Sequence, residues 1–163
     1  MKSINPESRR FRYPVEQKKE YEKLWMGGTS ENRVSSNKQG IFKDLKDIFI
    51  LSAVIGFQER KKRKPFKEGT NFTADFREYE SIIYSIAICE LSKDIDKNIS
   101  KILRKRDGED TIEDIIEEYA NAGFEVLMEY IYSDESKSPL ENIREYLLTF
   151  NKSEMEMFKE LIL

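Results

Sequence analysis

The sequence has no histidine and a single cysteine, Cys89. Without histidine, acid–base chemistry near neutral pH loses its usual side chain, and most zinc sites lose a ligand. A lone cysteine excludes an internal disulfide and a cysteine zinc cluster. Within Ile86–Ala87–Ile88–Cys89 it is expected to be buried as a small hydrophobe. Glycine is scarce, and Gly27–Gly28–Thr29–Ser30 lacks the lysine and preceding strand of a phosphate-binding loop. The most apolar stretch, Ile48 to Phe57, is about half of the ~20 residues that a membrane-spanning helix needs. The N-terminus, Met1 to Pro6, lacks the apolar centre of a signal peptide, so a reducing cytoplasm is the expected setting. Acidic residues such as Glu117/Glu118 and Glu154/Glu156 fall on helix faces, without the spacing of a calcium loop. No catalytic residue, metal ligand or cofactor is assigned, and the chain is expected to be no enzyme.

What is present suits one domain with a substantial core. The 163 residues are 39% hydrophobic and include ten Phe and eight Tyr. Charge is unevenly spread. Residues 1–67 hold 17 Lys/Arg against 8 Asp/Glu, whereas residues 68–163 hold 11 against 23. Either the molecule is bipolar with two kinds of partner, or folding interleaves the halves and they neutralise one another.

Residues 1–40 read as an irregular arm with a short helix from Val15 to Trp25, ended by Gly27–Gly28, and residues 41–163 as a helical domain. Apolar positions from Ile41 to Phe57 widen to nearly the whole circumference, the pattern of a central buried helix, with Gly56 marking its end. Residues 58–75 read as a basic loop. Helices are expected over Phe76–Leu91 and near 95–104. The longest follows Thr111, with apolar residues recurring at helical spacing through Ile131. Ser138–Pro139–Leu140–Glu141 is a capping box, and Ser153–Glu154–Met155–Glu156 has the same form. The expected class is all-α: a single compact helical domain of about five to seven helices with an irregular N-terminal arm.

The leading functional feature is a run of six basic residues in eight, Arg60–Lys61–Lys62–Arg63–Lys64–Pro65–Phe66–Lys67, directly after the buried helix. Lys and Arg bind phosphates by charge and counterion release, Arg adds bidentate geometry, and Phe66 offers a stacking face. Arg104, Lys105 and Arg106 form a second cluster. The candidate nucleic-acid contacts are therefore Arg60, Lys61, Lys62, Arg63, Lys64, Lys67 and Arg104–Arg106. A docking surface for an acidic protein and a merely solvated loop remain open alternatives. Tyr119–Ala120–Asn121–Ala122–Gly123 places poor helix formers inside the longest helix, where Gly costs roughly 1 kcal/mol relative to Ala. One explanation is close approach of another helix, with Asn121 satisfying a buried backbone group. The other is a partner-binding face comprising Glu118, Tyr119 and Asn121.

Three pieces together resemble a known family: Phe42-Lys-Asp-Leu-Lys-Asp-Ile-Phe49, Ala53-Val-Ile-Gly-Phe57 running into Arg60–Pro65, and Ile115-Ile-Glu-Glu-Tyr-Ala-Asn-Ala-Gly-Phe-Glu-Val-Leu127. They are similar to the DNA phosphorothioation (dnd) system-associated proteins of the fourth type. Tyr119–Gly123 is the most specific part, with Ala122 standing where the family has the first of two glycines. The resemblance covers residues 41–150 and leaves 1–40 outside. It implies a setting, that of accessory proteins found alongside bacterial DNA-modification and phage-defence genes; the residues add the expectation that the basic run contacts double-stranded DNA and the acidic half docks on a larger partner (a helicase, ATPase or nuclease). A protein–protein adaptor without DNA contact is the alternative.

Overall fold

Phe11 and Tyr13 alternate with Arg10 and Arg12, and that alternation puts both rings on the buried face of a strand. The computed structural model describes residues 8–27, 40–63, 68–94 and 112–149. In it Ser8–Pro14 is strand β1, antiparallel to β2, Gly69–Asp75, with Phe11 opposite Phe72 and Tyr13 opposite Thr70. The all-α expectation is thus corrected. Two segments read as arm and loop pair into a small sheet, and among the described residues five α-helices supply most of the remainder.

The helices are α1 (Lys18–Leu24), α2 (Leu45–Gln58), α3 (Glu80–Leu91), α4 (Ile112–Ile131) and α5 (Pro139–Thr149). Leu24 and Phe42 are tied together where chain enters and leaves residues 28–39: the Ile41 and Phe42 amides both donate to the Leu24 carbonyl, at 2.8 and 2.9 Å. This pairing takes up residues 41 and 42, so α2 begins later than its apolar pattern suggests. Its first turn closes on Asp47, whose carboxylate accepts the Asp44 amide at 3.2 Å. Before α3, residues 77–79 form a 3-10 turn in place of the expected first α-turn. The Ser138 capping box is present: the Glu141 amide donates to Ser138 Oγ at 3.3 Å, and the Ser138 amide to Glu141 Oε2 at 2.8 Å. The expected helices near 95–104 and from Ser153 lie outside the described residues. None of the described helices is long and apolar enough to cross a membrane.

The core lies where α2 crosses α4 beneath the sheet. Phe11 packs on Phe49 and Phe76, with ring centroids 4.9 Å apart in each case, and Tyr21 is stacked between Tyr13 and Phe124. Gly56 and Gly123 sit at the crossing. A methyl group on Gly123 would overlap the Ser52 carbonyl oxygen, and one on Gly56 the Tyr119 carbonyl oxygen. The two backbones touch there, so Gly56 is a contact residue inside α2 rather than its terminator. Cys89 is half-buried on α3.

β1 is fixed to α4 by charge as well. Arg9 pairs with Glu113 at 2.7 Å, and Arg12 pairs with Glu117 at 2.9 Å and Asp114 at 3.4 Å. Glu117 is 5% exposed. Burial raises its pKa above the usual carboxylate value, and the Arg12 guanidinium opposes that rise without cancelling it. Lys46 pairs with Glu78. Basic residues of the N-terminal half therefore meet acidic residues of the C-terminal half among the described residues, as the interleaving alternative has it.

Candidate nucleic-acid interface and its anchors

The basic run starts where α2 stops, and the stop itself is unusual. The Arg60 amide donates to the Phe57 carbonyl at 3.1 Å, and the Lys61 amide reaches back to Gly56 at 2.8 Å. This is the paired-bond Schellman ending, in which the residue after the cap turns left-handed and is usually glycine. Here that residue is Arg60, with φ of 53°. A left-handed non-glycine residue costs about 1 kcal/mol or more. The turn aims the chain across α4.

On α4 the segment is clasped through its backbone. The Arg63 amide donates to the Glu118 carbonyl at 3.2 Å, and Asn121 Nδ2 donates to the Arg63 carbonyl at 3.2 Å. Gln17 Nε2 in turn donates to Asn121 Oδ1 at 3.0 Å. Asn121 is 3% exposed and Tyr119 is 2% exposed. Asn121 satisfies a backbone group of the basic segment, while its neighbour Gly123 permits the helix crossing. Of the expected partner-binding face, only Glu118 is partly accessible, and its carbonyl holds Arg63.

The four described cations divide into two pairs. Lys62 forms an ion pair with Glu90 of α3 and lies 5.1 Å from the centre of the Tyr119 ring. Glu90 also accepts from Lys93 at 2.7 Å and from the Tyr119 hydroxyl at 2.5 Å. Partial burial works to raise the Glu90 carboxyl. The hydrogen bonds from Lys62, Lys93 and Tyr119 outweigh it and hold the group at about 2. Arg63 pairs with Glu125, both side chains half-exposed, which makes this a surface bridge worth at most about 1 kcal/mol. Arg60 and Lys61 are exposed and have no carboxylate partner among the described residues. Lys62 and Arg63 thus anchor the segment, while Arg60 and Lys61 project from it.

Lys64, Lys67, Arg104, Lys105 and Arg106 lie outside the described residues. No group of three or more Cys, Asp or Glu residues able to hold a metal ion occurs among the described residues. Sequence reasoning missed Gln17, Glu90 and Glu125, each of which matters only through a neighbour distant in the chain. The single available signal was Gln17 beside an apolar run, which resembles any surface glutamine.

Comparison with known proteins adds the setting. No curated protein and no solved structure matches this chain significantly. The family model described as DNA sulphur modification system-associated protein 4 matches residues 12–162. The match begins inside β1, well before the segment at 41–150 that carries the resemblance. The end of β1, all of β2, the α2–α4 crossing and the clasped basic segment fall within it, and the chain belongs to the DNA sulphur modification system-associated protein 4 family.

Proposed function

We propose that this chain is a non-enzymatic accessory subunit of a bacterial DNA sulphur-modification and anti-phage system, touching double-stranded DNA through its basic segment and docking on a larger enzyme of that system. The observation that carries the reading is the division of the segment: Lys62 and Arg63 are tied down to α3 and α4, while Arg60 and Lys61 stand in solvent on a turn fixed at both ends. A held pair of cations loses less freedom on meeting phosphate than a free tail does. Lys64, Lys67 and Arg104–Arg106 belong to the same proposed contact.

Counted for Arg60 and Lys61 alone, the magnitude is that of a modest contact. Each neutralised phosphate contributes about −0.9 to the slope of log affinity against log salt, so two contacts give a slope of about −2. Affinity then falls only about tenfold between 50 and 200 mM salt. That weakness is the specific reason to keep a second reading, a protein–protein adaptor whose basic turn seats on an acidic patch.

Fluorescence anisotropy with a labelled DNA duplex across salt concentrations tests the first reading. Arg60→Asn/Lys61→Gln removes both charges, and Asn tolerates the left-handed turn. The variant should bind more weakly with a flatter slope. Unchanged affinity and slope would exclude the turn as a DNA contact.

A further inference from the structure

We propose that the outer edge of β2 is a docking site for an extended segment of a partner protein, which joins the sheet as a third strand and seats an aliphatic side chain in the cleft beside Trp25. The proposal does not rest on the basic segment, since a chain that fails to bind DNA can still accept a strand here.

The backbone parity of the sheet exposes this edge. The Arg12 amide donates to Glu117 Oε1 at 2.8 Å, so it points away from β2, and Arg12 with Asn71 is a non-hydrogen-bonded pair. The ladder bonds therefore run through Arg9–Ala74, Phe11–Phe72 and Tyr13–Thr70. Asn71, Thr73 and Asp75 turn their amides and carbonyls outward. Lys46 Nζ caps the Asp75 carbonyl at 3.3 Å. Asn71 and Thr73 are exposed, and their outward backbone groups have no partner among the described residues.

Proteins normally guard such an edge with Lys, Pro, a bulge or a covering element. The outer edge of β1 follows that rule, because Glu117 of α4 takes the Arg12 amide. Thr70–Asn71–Phe72–Thr73–Ala74 has no Lys or Pro of its own, and no covering element among the described residues. Addition of a strand satisfies amide and carbonyl groups at alternate residues, and neighbouring pockets select the incoming side chains.

Beside the edge lies a cleft of about 310 Å³, whose apolar wall is Trp25, Leu45, Phe72 and Ala74, with Lys46 at its rim. That cleft decides between occupants. A strand added to β2 directs alternate side chains to the face that carries Phe72 and Ala74, and so into the cleft. A second copy pairing edge to edge offers there only its own Phe72 and Ala74, which already pack into its core. It would leave the cleft empty. A separate proline-free segment with an aliphatic residue at alternate positions fills it.

The test pans phage-displayed random heptapeptides against the immobilised 163-residue chain, then titrates the selected synthetic peptides. The winners should alternate apolar and polar residues. Thr73→Pro, which removes an outward amide donor without breaking a ladder bond, should weaken them at least about tenfold, and Thr73→Val should leave them within about twofold. Hydrogen exchange of the Asn71 and Thr73 amides in the wild-type chain should slow when peptide binds, and this readout stands even if Thr73→Pro misfolds. Recovery of no peptide, equal binding by Thr73→Pro, or protection confined to other amides would overturn the proposal. A dimer in analytical ultracentrifugation that Thr73→Pro dissociates would assign the edge to a second copy and overturn it too.

Discussion

Gly123→Ala sets two physical effects against each other with opposite signs. Judged by helix propensity alone, replacing a mid-helix glycine with alanine stabilises by about 1 kcal/mol. The crossing geometry says otherwise. The added Cβ would overlap the Ser52 carbonyl oxygen and lie 2.5 Å from the Gly56 nitrogen, and both obstacles are backbone. No rotamer change relieves that clash, so α2 and α4 must separate by more than an ångström. Separation loosens the packing of two helices whose side chains Ile48, Phe49, Ile55, Tyr119 and Leu127 are all buried. Overpacking of this kind costs about 3 kcal/mol or more, so the net loss is about 2–3 kcal/mol. For a chain of this length that lowers the Tm by about 4–12 °C. Urea denaturation and calorimetry measure both quantities. Gly56→Ala, whose Cβ would overlap the Tyr119 carbonyl oxygen, should act in the same direction. A Tm that stays level or rises for Gly123→Ala would refute the touching-backbone account and return the position to ordinary helix propensity.

Other consequences follow from the same contacts. Arg60→Gly relieves the left-handed backbone and should raise stability by about 1 kcal/mol while weakening any binding that depends on the charge, so stability and affinity move apart. Asn121→Ala removes the donor to the Arg63 carbonyl and the shorter of two bonds from Gln17 Nε2, which keeps the main-chain carbonyl of residue 121 at 3.3 Å, and should cost about 1–2 kcal/mol in urea denaturation. The Glu90 carboxyl is held at about 2, below its ordinary 4.5, so its contribution is fully present above pH 4.5 and is lost as pH falls through 2. The stability difference between wild type and Glu90→Gln should therefore hold near about 2 kcal/mol above pH 5 and shrink progressively below pH 4.5. A difference independent of pH would remove the Lys62–Glu90–Tyr119 cluster from the account. Phe11→Ala should cost about 3–5 kcal/mol, because this ring is fully buried against Phe49 and Phe76; a cost below 1 kcal/mol would return β1 to the status of a loose arm.

The parts of the fold that the sequence made legible are those written in local spacing. The apolar recurrence from Ile112 to Ile131 and the Ser138 box both describe helices that the structure contains. The sheet was not legible, for a physical reason. β1 offers two aromatic residues among three arginines, and its partner lies about sixty residues away, so neither strand carries a convincing period alone. Gly56 misled in an instructive way. A glycine near a helix end usually supplies the left-handed turn, but here the crossing with α4 claims it and the turn falls to Arg60. At the candidate site, the basic run was visible as composition. Its split into anchors and projecting cations was not, because Glu90 and Glu125 reach Lys62 and Arg63 only through tertiary packing. Asn121 shows both sides of this limit: its oddity inside a helix was evident, while its hold on the Arg63 carbonyl required coordinates.

The division of the basic turn into two working classes is most directly tested by the salt dependence of duplex DNA binding in two double variants. Arg60→Asn/Lys61→Gln should flatten the slope of log affinity against log salt by about 2, and Lys62→Gln/Arg63→Gln by less than about 0.5 while lowering the Tm. Equal slope changes in the two variants, or a change confined to the second, would contradict it.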